Sequence, residues 1–280
     1  MKQYLFLLLS LSCAHLFAQV LSPQPSPRAT VSQVVGLTSV EVDYSRPSAR
    51  GRKIMGDLVP YSEIWRTGAY KNTTLSFSDD VVIEGKTLPA GKYGLYTRPG
   101  YNQWQVYLYK KNDLWGLPEE WDDNEVEISF SVNSVYLDFM VETFTILISD
   151  LHSEGARLNL LWENTLVIIP FEVPTKAKAM ESIEKTMAGN PKLGDYYNAA
   201  VYFLQENMDL NQAMKWMDKA IAMRKNPAFW MYRQKSLLHA GLNDKKGAIA
   251  AAKKSLELAK AAGNKDYIKM NTESIAEWSK

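Results

Sequence analysis

The chain has 280 residues, 46% of them hydrophobic, with 32 basic and 31 acidic side chains and one cysteine. A chain of this length and apolar content can fill more than one core, and its near-neutral charge offers no global field for nucleic acid or an anionic membrane. A single cysteine excludes an internal disulfide and a multi-cysteine metal site.

The N-terminal stretch "MKQYLFLLLSLSCAHLFA" carries one cation, Lys2, then an apolar run from Tyr4 to Leu11, and a small residue, Ala18, before Gln19. That layout predicts a secretory signal peptide over residues 1–18, and the run is too short to span a bilayer. The expected destination is the periplasm or the cell surface. Ser10 stands where a lipidation signal usually has leucine, which argues against a lipid anchor on Cys13. Removing the segment takes Lys2 and Cys13 with it and leaves basic and acidic residues balanced at 31 each. They are unevenly placed: residues 19–173 hold 13 basic and 20 acidic side chains, and residues 174–280 hold 18 and 11. That asymmetry coincides with a change of hydrophobic period and predicts two structural units. No other segment is long and apolar enough to cross a membrane.

Residues 19–30, rich in Pro and Ser, read as a flexible leader. In "TSVEVDYS", Val40, Val42 and Tyr44 alternate with Glu41 and Asp43, the period of a strand with one buried face. "VVIEGKTLPAGKYGLYTRPG" reads as strand pieces parted by a tip at Gly85–Lys86 and by Pro89–Gly91. "WQVYLYK", "EVEISFSV", "YLDFMVETFTILIS", "RLNLLWE" and "TLVIIPFEV" follow as further strands. About ten short strands with no helix between them predict an antiparallel β-sandwich or barrel over 31–173.

After Pro174 the period becomes helical. Pro174 suits a first turn, and Gly189 ends "KAKAMESIEKTMAG" where a C-cap belongs. Asp195, Asp209 and Asp244 can each start a further helix, and a last helix is expected from Asp266 to Trp278. "LNQAMKWMDKAIAM" and "KKGAIAAAKKSLEL" align at a shift of 35, pairing Ala213 with Ala248, Met217 with Ala252 and Ala220 with Ser255. Small residues at the contact positions of a repeated helix pair resemble the tetratricopeptide repeat, so residues 174–280 are expected to form an α-helical tetratricopeptide-like array.

Residues for catalysis are sparse. His152 and His239 have no second histidine at ligand spacing, and no nucleophile elbow, phosphate loop or dinucleotide fingerprint occurs. The carboxylate run "EEWDDNE", Glu119–Glu125, lacks the spacing and central glycine of a calcium loop. No catalytic residue, metal ligand or cofactor is therefore assigned. The segment from Arg46 to Lys71 stands out, with six basic and two acidic residues, against seven and eighteen in the rest of 19–173. Two explanations compete. In one, the arginines fork onto the domain's own carboxylates while Tyr61 and Trp65 fill the core beneath a long loop. In the other, Arg46, Arg50, Arg52, Tyr61, Glu63, Trp65, Arg66 and Thr67 surround a ligand, with Trp65 as a stacking face.

"YSRPSARGRKIMGDLVPYSEIWRTGA", "FSDDVVIEGKTLPAGKYGLYTRP" and "LLWENTLVIIPF" together resemble the secreted bacterial domain of unknown function 2911. The resemblance covers about 31–173 and implies a β-rich exported domain; the helical tail is similar to one that often follows it. It implies no catalytic residue, substrate or cofactor. The expected function is an exported, non-catalytic binding or interaction protein. Its β-domain would hold a small anionic or carbohydrate-like ligand or a peptide, and its helical domain would contact protein. The alternative is a hydrolase of envelope glycan or peptide using Glu63 or Asp57 as acid or base.

Overall fold

The computed structural model describes residues 22–280. The expected signal peptide and Cys13 lie outside the described residues. The chain divides into two compact units after Thr175.

The first unit is a nine-stranded antiparallel sheet. Its strands are β1 (Arg28–Val35), β2 (Thr38–Ser45), β3 (Thr73–Phe77), β4 (Val81–Ile83), β5 (Lys86–Leu88), β6 (Gly91–Arg98), β7 (Gln103–Tyr109), β8 (Val126–His152) and β9 (Gly155–Glu172). Their spatial order is β1-β2-β3-β6-β7-β8-β9-β4-β5. With β1 and β5 at opposite ends the sheet is not closed, so the sandwich fits and the barrel does not. The alternation in "TSVEVDYS" is realised in β2, where Val40, Val42 and Tyr44 are buried and Glu41 is exposed. β1 begins at Arg28, inside the stretch read as a leader.

β8 folds the ribbon. Its first part pairs with β7 as far as Asn133, opposite Gln103. From Ser134, opposite Val167, it pairs with β9. Inward residues of both parts meet in one core, where Val106, Leu108, Ile128 and Phe130 join Phe144, Ile146, Leu158, Trp162 and Ile169. Tyr44 stitches the two sides together: its hydroxyl accepts from the Ile146 amide at 2.9 Å and donates to the Ile146 carbonyl at 3.2 Å. A phenol at the end of a buried ring thus satisfies backbone groups that burial would leave costly.

Two pairs of expected strands are single elements. "EVEISFSV" and "YLDFMVETFTILIS" are both β8, and "RLNLLWE" and "TLVIIPFEV" are both β9. The alternation breaks inside each for a local reason. β8 shifts register between Tyr136 and Val141 and again before Thr145. β9 carries Glu163 in a left-handed conformation, φ 52°. The next residue, Asn164, clamps the irregularity, its amide donating to the carbonyls of Leu137 and Phe139, each at 3.0 Å.

The second unit holds six helices: α1 (Thr175–Met187), α2 (Leu193–Gln205), α3 (Leu210–Ala222), α4 (Phe229–Gly241), α5 (Lys245–Ala261) and α6 (Lys265–Trp278). Asp209 and Asp244 are N-caps, accepting from the amides of Gln212 and Gly247 at 2.9 Å each. Asp195 instead sits in the first turn of α2 and accepts from the Lys192 amide at 2.8 Å. The 35-residue shift corresponds to real packing positions: Ala213, Met217 and Ala220 of α3 and Ala248, Ala252 and Ser255 of α5 are all fully buried. No helix among the described residues is long and apolar enough to cross a membrane.

Candidate functional site

The connection from β2 to β3, residues 46–72, is long and mostly irregular, yet it is held at many points. Ala49 donates its amide to the Glu142 carbonyl at 2.8 Å, and Ser48 bridges Thr143 of β8. The amides of Ile54 and Met55 both donate to the Glu163 carboxylate, one oxygen each, at 3.1 Å. Ser62 donates to the Pro99 carbonyl at 2.8 Å, and Trp65 and Thr97 exchange amide bonds at 2.7 and 3.0 Å. Ala49, Ile54, Met55 and Val59 are buried beneath it. The segment is therefore an extra wall of the sandwich and not a free loop.

Most side chains singled out in this segment hold that wall. The Trp65 ring lies nearly parallel to Trp162, with centroids 5.8 Å apart and planes at 20°. It meets Phe144 at 5.1 Å and Trp104 at 6.2 Å, and its indole N–H donates to the Gly68 carbonyl at 3.1 Å. Thr67 is buried, its hydroxyl 3.0 Å from that of Thr97. Gly68 lies where backbones pass closely: a Cβ there would meet Thr73 Oγ1 at 2.9 Å and the Ser45 carbonyl at 3.1 Å.

The arginines turn to carbonyls. Arg46 donates to the Phe144 carbonyl at 3.1 Å and to the Thr145 hydroxyl at 2.8 Å. Arg50 reaches the Pro25 carbonyl at 3.0 Å, and Arg52 the carbonyls of Ala49 and Ser48 at 3.0 and 2.8 Å. Arg66 donates to the Tyr70 carbonyl at 3.3 Å. None of these four makes an ion pair among the described residues, so the expected forks onto carboxylates are replaced by backbone capture. The reason is local: an irregular segment leaves its own carbonyls without ladder partners, and guanidinium supplies up to five donors to them.

Tyr61 is the sequence candidate that lines a cleft, of about 560 Å³. Lys53, Met55 and Tyr61 line it from the connecting segment, and Tyr101 and Asn102 from the turn between β6 and β7. Ser134, Val135 and Tyr136 of β8 and Glu163, Asn164 and Thr165 of β9 complete the lining. The cleft thus opens where β8 leaves β7 for β9. Tyr61 rests on Gly56 (φ 81°), where a Cβ would come within 2.5 Å of its ring. It also meets Tyr101 edge-on at 5.9 Å. Burial, then Tyr101 and then Glu163 push the Tyr61 phenol above the ordinary tyrosine value, so at neutral pH it stays protonated and able to donate. Tyr101 and Tyr136 are 82% and 80% exposed.

Glu63 and Asp57 are exposed and do not line this cleft. Glu163 is the carboxylate in the lining. His152 lies in a separate depression of about 360 Å³ with Asp150 and Arg157, which pair at 2.7 Å. The carboxylate run at 119–125 caps a 3-10 turn through Asp122, and Glu125 pairs with Lys111 at 3.2 Å. No group of three or more His, Asp, Glu or Cys side chains poised for a metal occurs among the described residues.

Sequence reasoning missed Tyr101, Asn102, Tyr136, Asn164 and Thr165. Two signals pointed to them. Tyr101 sits in the turn sequence "RPGYNQ", an unusual place for a large ring. "VYLDFM" breaks the strand period with apolar residues in succession, the mark of a bulge that turns side chains outward.

An open antiparallel sandwich with an added loop wall and a cleft at the partner switch, followed by a helical array, defines the class. Residues 26–171, just over half of the chain, match the family described as Protein of unknown function (DUF2911), and the chain belongs to it. No curated protein and no solved structure matches the chain.

Proposed function

We propose that this is an exported binding protein whose β-domain holds its ligand in the cleft between Tyr61, Tyr101 and Tyr136, without a catalytic step. One observation carries the reading. The cleft gathers three tyrosines and four neutral polar side chains from four separate chain segments, while its carboxylate, Glu163, already accepts two backbone amides. Aromatic faces with a few convergent polar groups are what small-ligand sites use. Export rests on the signal-peptide layout of residues 1–18. The helical domain, with its repeated helix pair, serves contact with another protein.

A thermal-shift screen of the purified protein against neutral saccharides, acidic saccharides and short peptides tests this. A saturable rise in melting temperature with one class, lost in Tyr136→Ala, is expected. Turnover of an envelope glycan or peptide that disappears in Glu63→Gln or Asp57→Asn would replace the reading with the hydrolase.

A further inference from the structure

We infer that the cleft recognises a neutral polyhydroxylated ring, a saccharide unit of an uncharged glycan; this rests on the proposed binding role of the cleft and names its ligand class. Charge supports it first. Among the lining residues Lys53 and Glu163 are the only ionised side chains, and they cancel. The arginines that made an anionic ligand attractive in sequence spend donors on Phe144, Pro25, Ala49, Ser48 and Tyr70 carbonyls. None of them lines the cleft. An anion there would meet one lysine opposed by one carboxylate.

Hydrogen-bonding character supports it next. Asn102 and Thr165 carry groups that donate and accept, as do the tyrosine hydroxyls, while Ser134 and Asn164, whose donors go to the carbonyls of Tyr101, Leu137 and Phe139, offer acceptor oxygens. Sugar hydroxyls also do both, so such a lining matches them without fixing a charge. Ring geometry supplies the apolar half. Tyr101 and Tyr136 present largely uncovered rings, and a pyranose has a C–H face of similar breadth that loses water against them. Tyrosine gives this contact area with few rotatable bonds to freeze.

A peptide fits less well. Strand addition needs an unpaired edge, and at the cleft β8 and β9 are paired with each other from Ser134–Val167 to Tyr136–Thr165. Met55 and Val135 are the aliphatic residues of the lining, too few for a row of side-chain pockets.

The test is calorimetric titration of the purified protein with cellohexaose, maltohexaose and mannohexaose, and with hexagalacturonate and an acetylated hexapeptide as contrasts. At least one neutral hexasaccharide is expected to bind, with an affinity unchanged between low and high salt, because no net charge is screened. Tyr101→Ala and Tyr136→Ala are each expected to weaken it by about tenfold or more, and Tyr136→Phe by less than about threefold. Both positions are exposed, so the variants' melting temperatures should match that of the parent. Binding of only hexagalacturonate or the peptide, still lost in the tyrosine variants, would overturn the ligand class and leave the cleft as the site. Neutral binding that survives both alanine variants would overturn the cleft itself. No heat from any neutral hexasaccharide at about 10 mM would overturn the inference as well.

Discussion

Replacing Trp65 with alanine separates a holding role from a binding role. The ring stacks on Trp162, meets Phe144 and Trp104 edge-on, and anchors its indole N–H on Gly68. Truncating a fully buried large aromatic costs about 3–5 kcal/mol, and Trp65 is half-buried, which places the packing loss near the low end. The indole bond contributes about 1 kcal/mol and is lost with it. A total of about 4 kcal/mol corresponds to a fall of roughly 8–16 °C in a unit of this size. Hydrogen exchange read separately at the strand and the helix amides follows the two units one by one, so their unfolding can be told apart. Trp65→Phe should recover part of the loss by keeping a ring against Trp162. A melt of Trp65→Ala within about 1 °C of the parent, with ligand binding abolished, would refute the structural assignment and return Trp65 to the binding surface.

Arg66→Lys should lower the melting temperature by only about 1–3 °C, because the guanidinium makes one carbonyl bond and no carboxylate fork; a fall near 10 °C would reveal a partner beyond Tyr70. Glu163→Gln removes one of two acceptors and the charge, at a cost of about 1.5–3 kcal/mol, and hydrogen exchange at the Ile54 and Met55 amides should quicken. Tyr96 is fully enclosed; burial, then Tyr109, push its phenol up to about 12, against which Arg66 acts weakly. A raised folded-state value means the unfolded chain loses this proton first, so stability present below pH ~10 is lost as pH rises towards about 12. Melting curves across that window should fall less steeply for Tyr96→Phe than for the parent, and equal slopes would contradict the assignment.

The fold was legible wherever burial follows a single period. Val40, Val42 and Tyr44 announce β2, and the 35-residue shift identifies α3 and α5 by the small residues at their contacts. Asp209 and Asp244 mark helix starts because a short carboxylate there meets free amides. The continuity of β8 and β9 was not legible, since a bulge and a left-handed Glu163 imitate a turn in sequence. The arginine partners were misread for a different reason. Side-chain charge is visible in sequence, whereas the unpaired carbonyls of an irregular segment are not. The cleft was legible only through Tyr61, because its walls join residues more than 100 positions apart.

The irregular segment from Arg46 to Asn72 bears on the proposed recognition at the cleft even though few of its own side chains enter it. A ligand site made by a free loop would lose binding strength to the ordering of that loop. Here the ordering is already done in the fold. Glu163 fixes the backbone at Ile54 and Met55, Ser62 is tied to Pro99, and Trp65 is bound to Thr97 on one side and packed against Trp162 on the other. Tyr61 then stands on Gly56, where the Cβ of any other residue would come within 2.5 Å of its ring. The two rings left to move are Tyr101 and Tyr136, each with two side-chain torsions. The division of labour follows from the chemistry of the residues: arginines and the half-buried Trp65 satisfy an irregular backbone and fill its underside, and the exposed tyrosines remain available to the proposed ligand. On the proposed binding role a change at Trp65 or Glu163 would act on the cleft through its wall, whereas a change at Tyr136 would act on the bound ligand with the wall intact.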